Sequence, residues 1–268
     1  MSQLPTAAAE TPERLLALHC SGSSGRQWGA WLPTLGKRCA SVITPELMGY
    51  AGNEAWPAGR RVSLDDEAAA LAPLLAEGPV HLLGHSYGAA VALQLALRCP
   101  SRVRSLTLYE PVRFGLLLQQ QGQPRALGQS VVMVARRIGL HVMAGALDAA
   151  AERFVDYWSG IGSWQQMKPA AQQNLAHRMP KVHNEFLALF GDNVPAADWS
   201  RLTMPVRLAG GTRSPAPVRA ILDRLQQLLP QATRESFEGL GHMGPVAAPA
   251  RVMAALYAPA PEPFPQAA

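Results

Sequence analysis

Two glycine-bounded segments carry the residue types that nucleophilic catalysis needs. In Gly84-His85-Ser86-Tyr87-Gly88 a serine stands midway between two glycines. An apolar run, Val80–Leu83, reads as a strand before it, and Ala89–Arg98 reads as a helix after it, closed by Pro100. At such a junction the glycines permit a tight turn and close helix–strand packing, which pushes the Ser86 hydroxyl into the open at a sheet's C-terminal edge. The N-terminus of the following helix would aim amide N–H groups and a positive dipole end at the same place, where an oxyanion would develop. Far downstream, Gly239-Leu240-Gly241-His242-Met243-Gly244-Pro245 follows the last predicted strand. A base must sit on a loop that reaches the serine, and the glycines around His242 give that freedom. Ser86 and His242 together suggest acyl transfer through a covalent serine intermediate. The plainer alternatives are a Gly-rich strand–helix turn and a polar surface histidine.

The elements that would position these residues alternate along the chain. Strands are predicted at Leu15–Leu18, Ala40–Thr44, Val80–Leu83, Val103–Leu108, Val206–Ala209 and Thr233–Phe237. Helices are predicted over Gln27–Leu35, Leu64–Ala76, Ala89–Arg98, Ala216–Leu229 and Pro249–Tyr257. Strands alternating with helices imply a mainly parallel sheet covered on both faces. From Arg113 to Ser200 the alternation stops, and the chain reads as helical with Trp158, Trp164 and Trp199. The expected organisation is an α/β core over 1–112 and 201–258, a helical insertion over 113–200, and a Pro-rich disordered tail over 259–268.

Bulk properties narrow the function classes. The 268 residues suffice for one large domain, and 48% apolar with 16% charged residues is a globular balance. The net charge of +5 is scattered, with arginine doublets only at Arg60-Arg61 and Arg136-Arg137, so no nucleic-acid partner is expected. Cys20, Cys39 and Cys99 cannot all pair and lack zinc or Cys-x-x-Cys spacing, so free thiols are expected. No signal-peptide pattern opens the chain, and no apolar stretch reaches the roughly 18 residues of a membrane helix. The expectation is a cytoplasmic monomer or homodimer that acts on a small molecule, makes no membrane contact and needs no metal or organic cofactor.

The segments HCSGSSGRQW, TPELMGY, GHSYG, LYEP and GHMGP together resemble the α/β-hydrolase superfamily over about Leu15 to Tyr257. The resemblance implies an α/β-hydrolase fold, here with a sheet trimmed to about six strands, and a helical lid over 113–200. It implies the chain order serine, acid, histidine. It also makes the amides of Ser21 and Tyr87 the oxyanion donors by position, with Cys20 standing where the family usually has glycine. Cys20 as a nucleophile is set aside, since nothing nearby in the sequence would lower its thiol pKa. The acid is the main departure. Members often carry Gly-x-x-Asp-Pro after the strand read here as Val206–Ala209, but this chain has Gly210-Gly211-Thr212-Arg213-Ser214-Pro215. Some members take the acid one strand earlier, which points to Glu110 of Tyr109-Glu110-Pro111. Asp192, Asp198 and Asp223 are the alternatives, as is a Ser-His dyad without an acid.

Trp28, Tyr157, Trp158 and Met243 are the expected substrate-pocket residues. Phe154, Trp164 and Met167 share the apolar spacing of the insertion, and Trp31 is expected in a wall beside Trp28. His85 reads as packing. The function expected from these residues is hydrolysis of an ester or similar acyl bond of a small, fairly apolar molecule. Carbon–carbon hydrolysis, thioester cleavage, acyl transfer and cofactor-free perhydrolysis would use the same residues, and a ligand-binding protein on a hydrolase scaffold is the alternative of another class. A serine rather than an aspartate at the turn argues against dehalogenase and epoxide-hydrolase chemistry.

Overall fold

The structure, a computed structural model, describes residues 13–50 and 61–257. The N-terminal arm, Arg60 and the tail predicted as disordered over 259–268 lie outside the described residues. Six strands form one sheet: β1 (Arg14–Leu18), β2 (Ser41–Ile43), β3 (Val80–His85), β4 (Val103–Tyr109), β5 (Val206–Gly211) and β6 (Thr233–Phe237). Their order is β2-β1-β3-β4-β5-β6, and every pairing is parallel. From β1 the chain first moves outward to β2, then returns across β1 to β3 and continues in order. All strand ends therefore open on the same edge, and the reversal leaves a crevice between the ends of β1 and β3.

Helices of eight or more residues are α1 (Leu64–Leu71), α2 (Tyr87–Arg98), α3 (Gly122–Met143), α4 (Leu147–Ser159), α5 (Pro169–Phe190), α6 (Ala216–Leu228) and α7 (Pro249–Leu256). Successive strand residues point to opposite faces, and on the four central strands both faces are largely buried. Leu16, Leu18, Leu82, Leu106, Leu108 and Leu208 join the larger core with α1, α2 and α6. Leu15, Ala17, Leu83, Tyr109 and Ala209 join a smaller one with Trp28, Trp31 and α7. Helix α2 is buried on nearly every side, which its Ala-rich sequence allows because small side chains admit close neighbours.

The predicted helix boundaries shift where proline or glycine intervenes. Ser63 and Asp66 form a reciprocal cap at the start of α1, but the helix tightens into a 3-10 turn at Ala72–Leu75. Pro73 lacks the N–H that the longer predicted helix would have needed. The helix predicted over Gln27–Leu35 is instead a 3-10 turn, Gly25–Trp28, and one turn at Leu32–Leu35.

Between β4 and β5 lie α3, α4 and α5, with no strand. An aromatic cluster ties them to the core: Phe114 packs against Phe186, Phe190 and Trp158 with ring centroids at 6.4, 5.9 and 6.4 Å. A buried ion pair closes the neck of this insertion. Arg113 Nε donates to Asp192 Oδ2 at 2.6 Å, and its Nη2 donates to Gln94 of α2 at 3.0 Å. Arg113 leaves β4 and Asp192 follows α5, so one guanidinium joins both ends of the insertion to the central helix.

Asp192→Ala would strand the buried Arg113 charge, and such losses cost about 3–5 kcal/mol. The expected result is a lower urea midpoint at an unchanged denaturant slope; an unchanged midpoint would show that the pair contributes nothing to stability.

Candidate active site

The sharp turn after β3 has a backbone that almost any neighbour but glycine would block. Ser86 sits at φ 56°, a region L-residues avoid at a cost of about 1–3 kcal/mol. A Cβ on Gly84 would stand 2.5 Å from Ala89 Cα, and one on Gly88 would stand 2.4 Å from the carbonyl oxygens of Leu18 and His19. The two glycines are thus a consequence of pressing α2 against β1 and β3. The Ser86 N–H donates to the Tyr109 carbonyl at 2.9 Å, which holds the strained turn on β4.

Ser86 Oγ lies 2.8 Å from His242 Nε2, and His242 Nδ1 lies 2.6 Å from Glu110 Oε2. With Nδ1 donating to the carboxylate, Nε2 is left with its lone pair toward the serine hydroxyl. Glu110 is fully buried, and it too has a positive φ, 49°. Its other oxygen, Oε1, accepts from the Gly211 N–H at 2.7 Å and from the Ser214 hydroxyl. The loop after β5 therefore supplies no carboxylate and instead holds one. It also cradles the base loop: Arg213 N–H donates to the Leu240 carbonyl, and Gly239 N–H to Thr212 Oγ1, both at 2.9 Å. Of the other carboxylates considered, Asp192 binds Arg113, Asp223 binds Arg234 at the surface, and Asp198 lies in the Ala196–Arg201 turn.

The loop after β1 is fixed from several sides. His19 Nδ1 donates to the Cys20 carbonyl at 2.8 Å, while its Nε2 accepts from the Leu47 N–H. That bond sets the plane of the Cys20–Ser21 peptide and hence the direction of the Ser21 N–H. Gly22 N–H donates to Tyr50 Oη at 2.7 Å, and Tyr50 in turn donates to Glu185 of α5 at 2.8 Å. Arg178 of α5 donates to the carbonyls of Gly22 and Ser23 at 2.8 and 2.9 Å. The amides of Ser21 and Tyr87 donate to no atom among the described residues.

A cavity of about 400 Å³ opens over Ser86 and His242. Phe154, Trp158, Met167, Leu175 and Met243 form its apolar wall, and Ser21–Ser24, Asn174 and Arg178 its polar side. Trp158 stacks on the His242 ring with centroids 4.0 Å apart at 23°. Two expected pocket residues lie elsewhere. Trp28 packs edge-on against Trp31 in the smaller core on the far face of the sheet. Tyr157 is one helical step, about 100°, from Trp158 and lines a separate space between α3 and α4. Trp31 does reach the site indirectly, since its Nε1–H donates to the Pro245 carbonyl beneath the base loop at 3.0 Å.

Sequence reasoning passed over Arg178 and Gln27, read His85 as packing, and met Gly211 and Ser214 only in the segment that departs from the family pattern. Ser214 was visible only as the absence of an aspartate, and the rest act across long sequence separations that no local pattern marks.

Comparison with known proteins places the fold. The sequence pattern of the Alpha/beta hydrolase family matches residues 15–255. Lipase LipV of Mycobacterium tuberculosis is 36% identical over 106 residues, 37% of this chain and 38% of that protein. The 2-hydroxymuconate semialdehyde hydrolase of a Pseudomonas species is 35% identical over 100 residues, 35% of each protein. The chain thus matches less than two fifths of the length of these curated relatives. Among solved structures, an α/β-hydrolase enzyme from a Medee basin deep-sea metagenome library aligns with a TM-score of 0.77 at 14% identity, over 94% of this chain and 90% of its own.

Cys20 lines the cavity, yet burial pushes its thiol up to about 12, opposed in part by a hydrogen bond with Ser23. Because the thiolate is the reactive form, the folded protein should leave Cys20 unmodified by iodoacetamide at pH 8 and expose it only on unfolding. Peptide mass mapping reads this directly; rapid alkylation of native Cys20 would contradict it.

Proposed function

The chain belongs to the α/β-hydrolase family, and from that membership and the geometry of its site we propose that it is a serine hydrolase cleaving an ester or similar acyl bond of a small, fairly apolar molecule. The observation that carries this reading is the continuous chain from Ser86 Oγ through His242 to Glu110, with contacts of 2.8 and 2.6 Å.

In the proposed reaction His242 Nε2 takes the proton of Ser86 as its oxygen attacks the substrate carbonyl. Glu110 keeps the imidazole in the tautomer that leaves Nε2 unprotonated, then stabilises the imidazolium. The tetrahedral oxyanion rests on the Ser21 and Tyr87 amides, each such donor being worth about 10²–10³ in rate. His242 then protonates the leaving group, and water repeats the cycle on the acyl-enzyme. Residues 113–200 act as the lid, with Trp158 covering the base and excluding water from it. The apolar wall takes the acyl part of the substrate, and the mouth beside Ser21–Ser24 takes the leaving group. A second reading, carbon–carbon hydrolysis on the same residues, is favoured by the likeness to the 2-hydroxymuconate semialdehyde hydrolase.

A fluorophosphonate probe should label wild type and leave Ser86→Ala unlabelled, and Glu110→Gln should lose about 10³–10⁴ in kcat on p-nitrophenyl butyrate. Full activity of Glu110→Gln would remove the acid assignment, and unlabelled folded wild type would remove the serine mechanism. The cavity of about 400 Å³ should also favour p-nitrophenyl butyrate over the palmitate ester by at least about tenfold in kcat/KM, since a chain too long for it enters only by giving up contacts the short ester makes, and about two buried methylenes at about 0.8 kcal/mol each suffice. Equal rates would place the acyl chain outside this cavity.

A further inference from the structure

The turn that carries Ser86 holds a second imidazole that the proposed mechanism does not use. His85 is fully buried, and both of its ring nitrogens have partners. Its Nδ1 lies 3.1 Å from Gln27 Nε2, and its Nε2 lies 2.8 Å from the main-chain oxygen of His242. The same glutamine accepts from the Cys20 N–H through Oε1 at 3.0 Å.

These contacts admit one arrangement of protons. The Cys20 N–H needs an acceptor, so the amide oxygen of Gln27 faces it and the amide NH₂ faces His85. His85 Nδ1 must then accept. The ring is neutral with its proton on Nε2, and that proton goes to the His242 carbonyl, an obligate acceptor. Burial, then the neighbouring His242, pushes His85 down to about 3, so it stays neutral wherever the protein is folded and active. The other titratable side chains around it are His19 and Tyr109.

We propose that Gln27 and His85 are positioning residues that form a one-way hydrogen-bond relay setting the oxyanion loop, the nucleophile turn and the base loop relative to one another. The relay rests on the serine-hydrolase reading above. It starts at the amide of Cys20, whose carbonyl His19 already holds, so the peptides on both sides of Cys20 are fixed and Ser21 N–H has a set direction. It ends on the backbone of the base itself. Its contacts span 7, 58 and 157 residues of sequence, and they tie the oxyanion loop to the nucleophile turn and the nucleophile turn to the backbone of the base loop. Catalytic groups misplaced by about an ångström lose on the order of a hundredfold in rate.

Two variants test this, assayed from about pH 5 to 9 on p-nitrophenyl butyrate. Gln27→Met removes both of its bonds at similar volume. Its kcat should fall about ten- to a hundredfold, with KM moving less than about threefold. In Gln27→Glu the protonated side chain reproduces both bonds, sharing its proton with His85 Nδ1. That proton is present at low pH and lost as pH rises, so kcat relative to wild type should start well above that of Gln27→Met at low pH. It should fall toward the Gln27→Met level only if the shared proton is lost within the range. A purely structural role for Gln27 would depress both variants equally at every pH. Equal depression, or wild-type kcat in folded Gln27→Met, overturns the relay while wild-type turnover leaves the serine-hydrolase reading standing. Wild type that neither turns over nor labels overturns that reading and the catalytic purpose of the relay together. Nitrogen-15 spectra of the histidine rings separate the cases, because the relay requires a neutral, Nε2-protonated His85 whose Nδ1 signal moves in Gln27→Met.

Discussion

A carboxylate with no access to water is the constraint around which the site is built. An ionised group in Glu110's position costs several kcal/mol of lost hydration unless its oxygens are fully met. Three donors meet them: the Gly211 amide, the Ser214 hydroxyl and His242 Nδ1. Two come from the turn after β5 and the third from the loop after β6, so satisfying the charge brings the ends of β4, β5 and β6 to one point. The requirement also explains local backbone. A Cβ on Gly210 would crowd the Glu110 side chain at 3.3 Å, and one on Gly211 would collide with the Leu240 carbonyl at 2.1 Å. The strained φ of Glu110 persists because its N–H is held by the Ala209 carbonyl at 2.9 Å and its carboxylate is held by the neighbouring strand.

The insertion is bound to the core by charge as well as by apolar packing. Lys181 of α5 meets Glu67 of α1 at 2.9 Å and Glu185 of its own helix at 3.2 Å, and Tyr87 at the head of α2 donates to Glu67 at 3.1 Å. The ammonium also lies 5.2 Å from the rings of Tyr50 and Tyr87. This network and Arg178 run from the insertion to the loop after β1, while Trp158 runs from it to the base. The helices over the cavity thus touch both the loop that carries the proposed donor Ser21 and the proposed base, so a change in their placement would be felt by the chemistry as well as by the pocket.

Much of the fold was legible because its causes are short in range. Apolar runs of strand length separated by helical runs gave the six strands within a residue or two, and the strand-free stretch gave the place of the helices between β4 and β5. The family resemblance rested on the same segments that the family pattern covers. Helix ends were less legible where Gly29 and Pro73 divide what periodicity alone reads as continuous.

The sequence by itself determined the two residues that local patterns mark. Ser86 is flanked by Gly84, which must clear Ala89 of its own strand–turn–helix unit, and by Gly88, which must clear the carbonyls of Leu18 and His19 at the end of β1. His242 needs a free loop after the last strand, and the glycine patterns that mark both are written in adjacent letters. The family resemblance pointed to Glu110 ahead of Asp192, Asp198 and Asp223. Only the tertiary structure supplied the contact with His242, between residues 132 apart, and the hydroxyl of a serine where an aspartate was expected. It also separated Trp158 from Tyr157 and sent Trp28 to the far face of the sheet. It turned His85 from packing into a hydrogen-bonded link, because the direction of a side chain and the partner of a ring nitrogen are properties of the packed chain and not of its spelling.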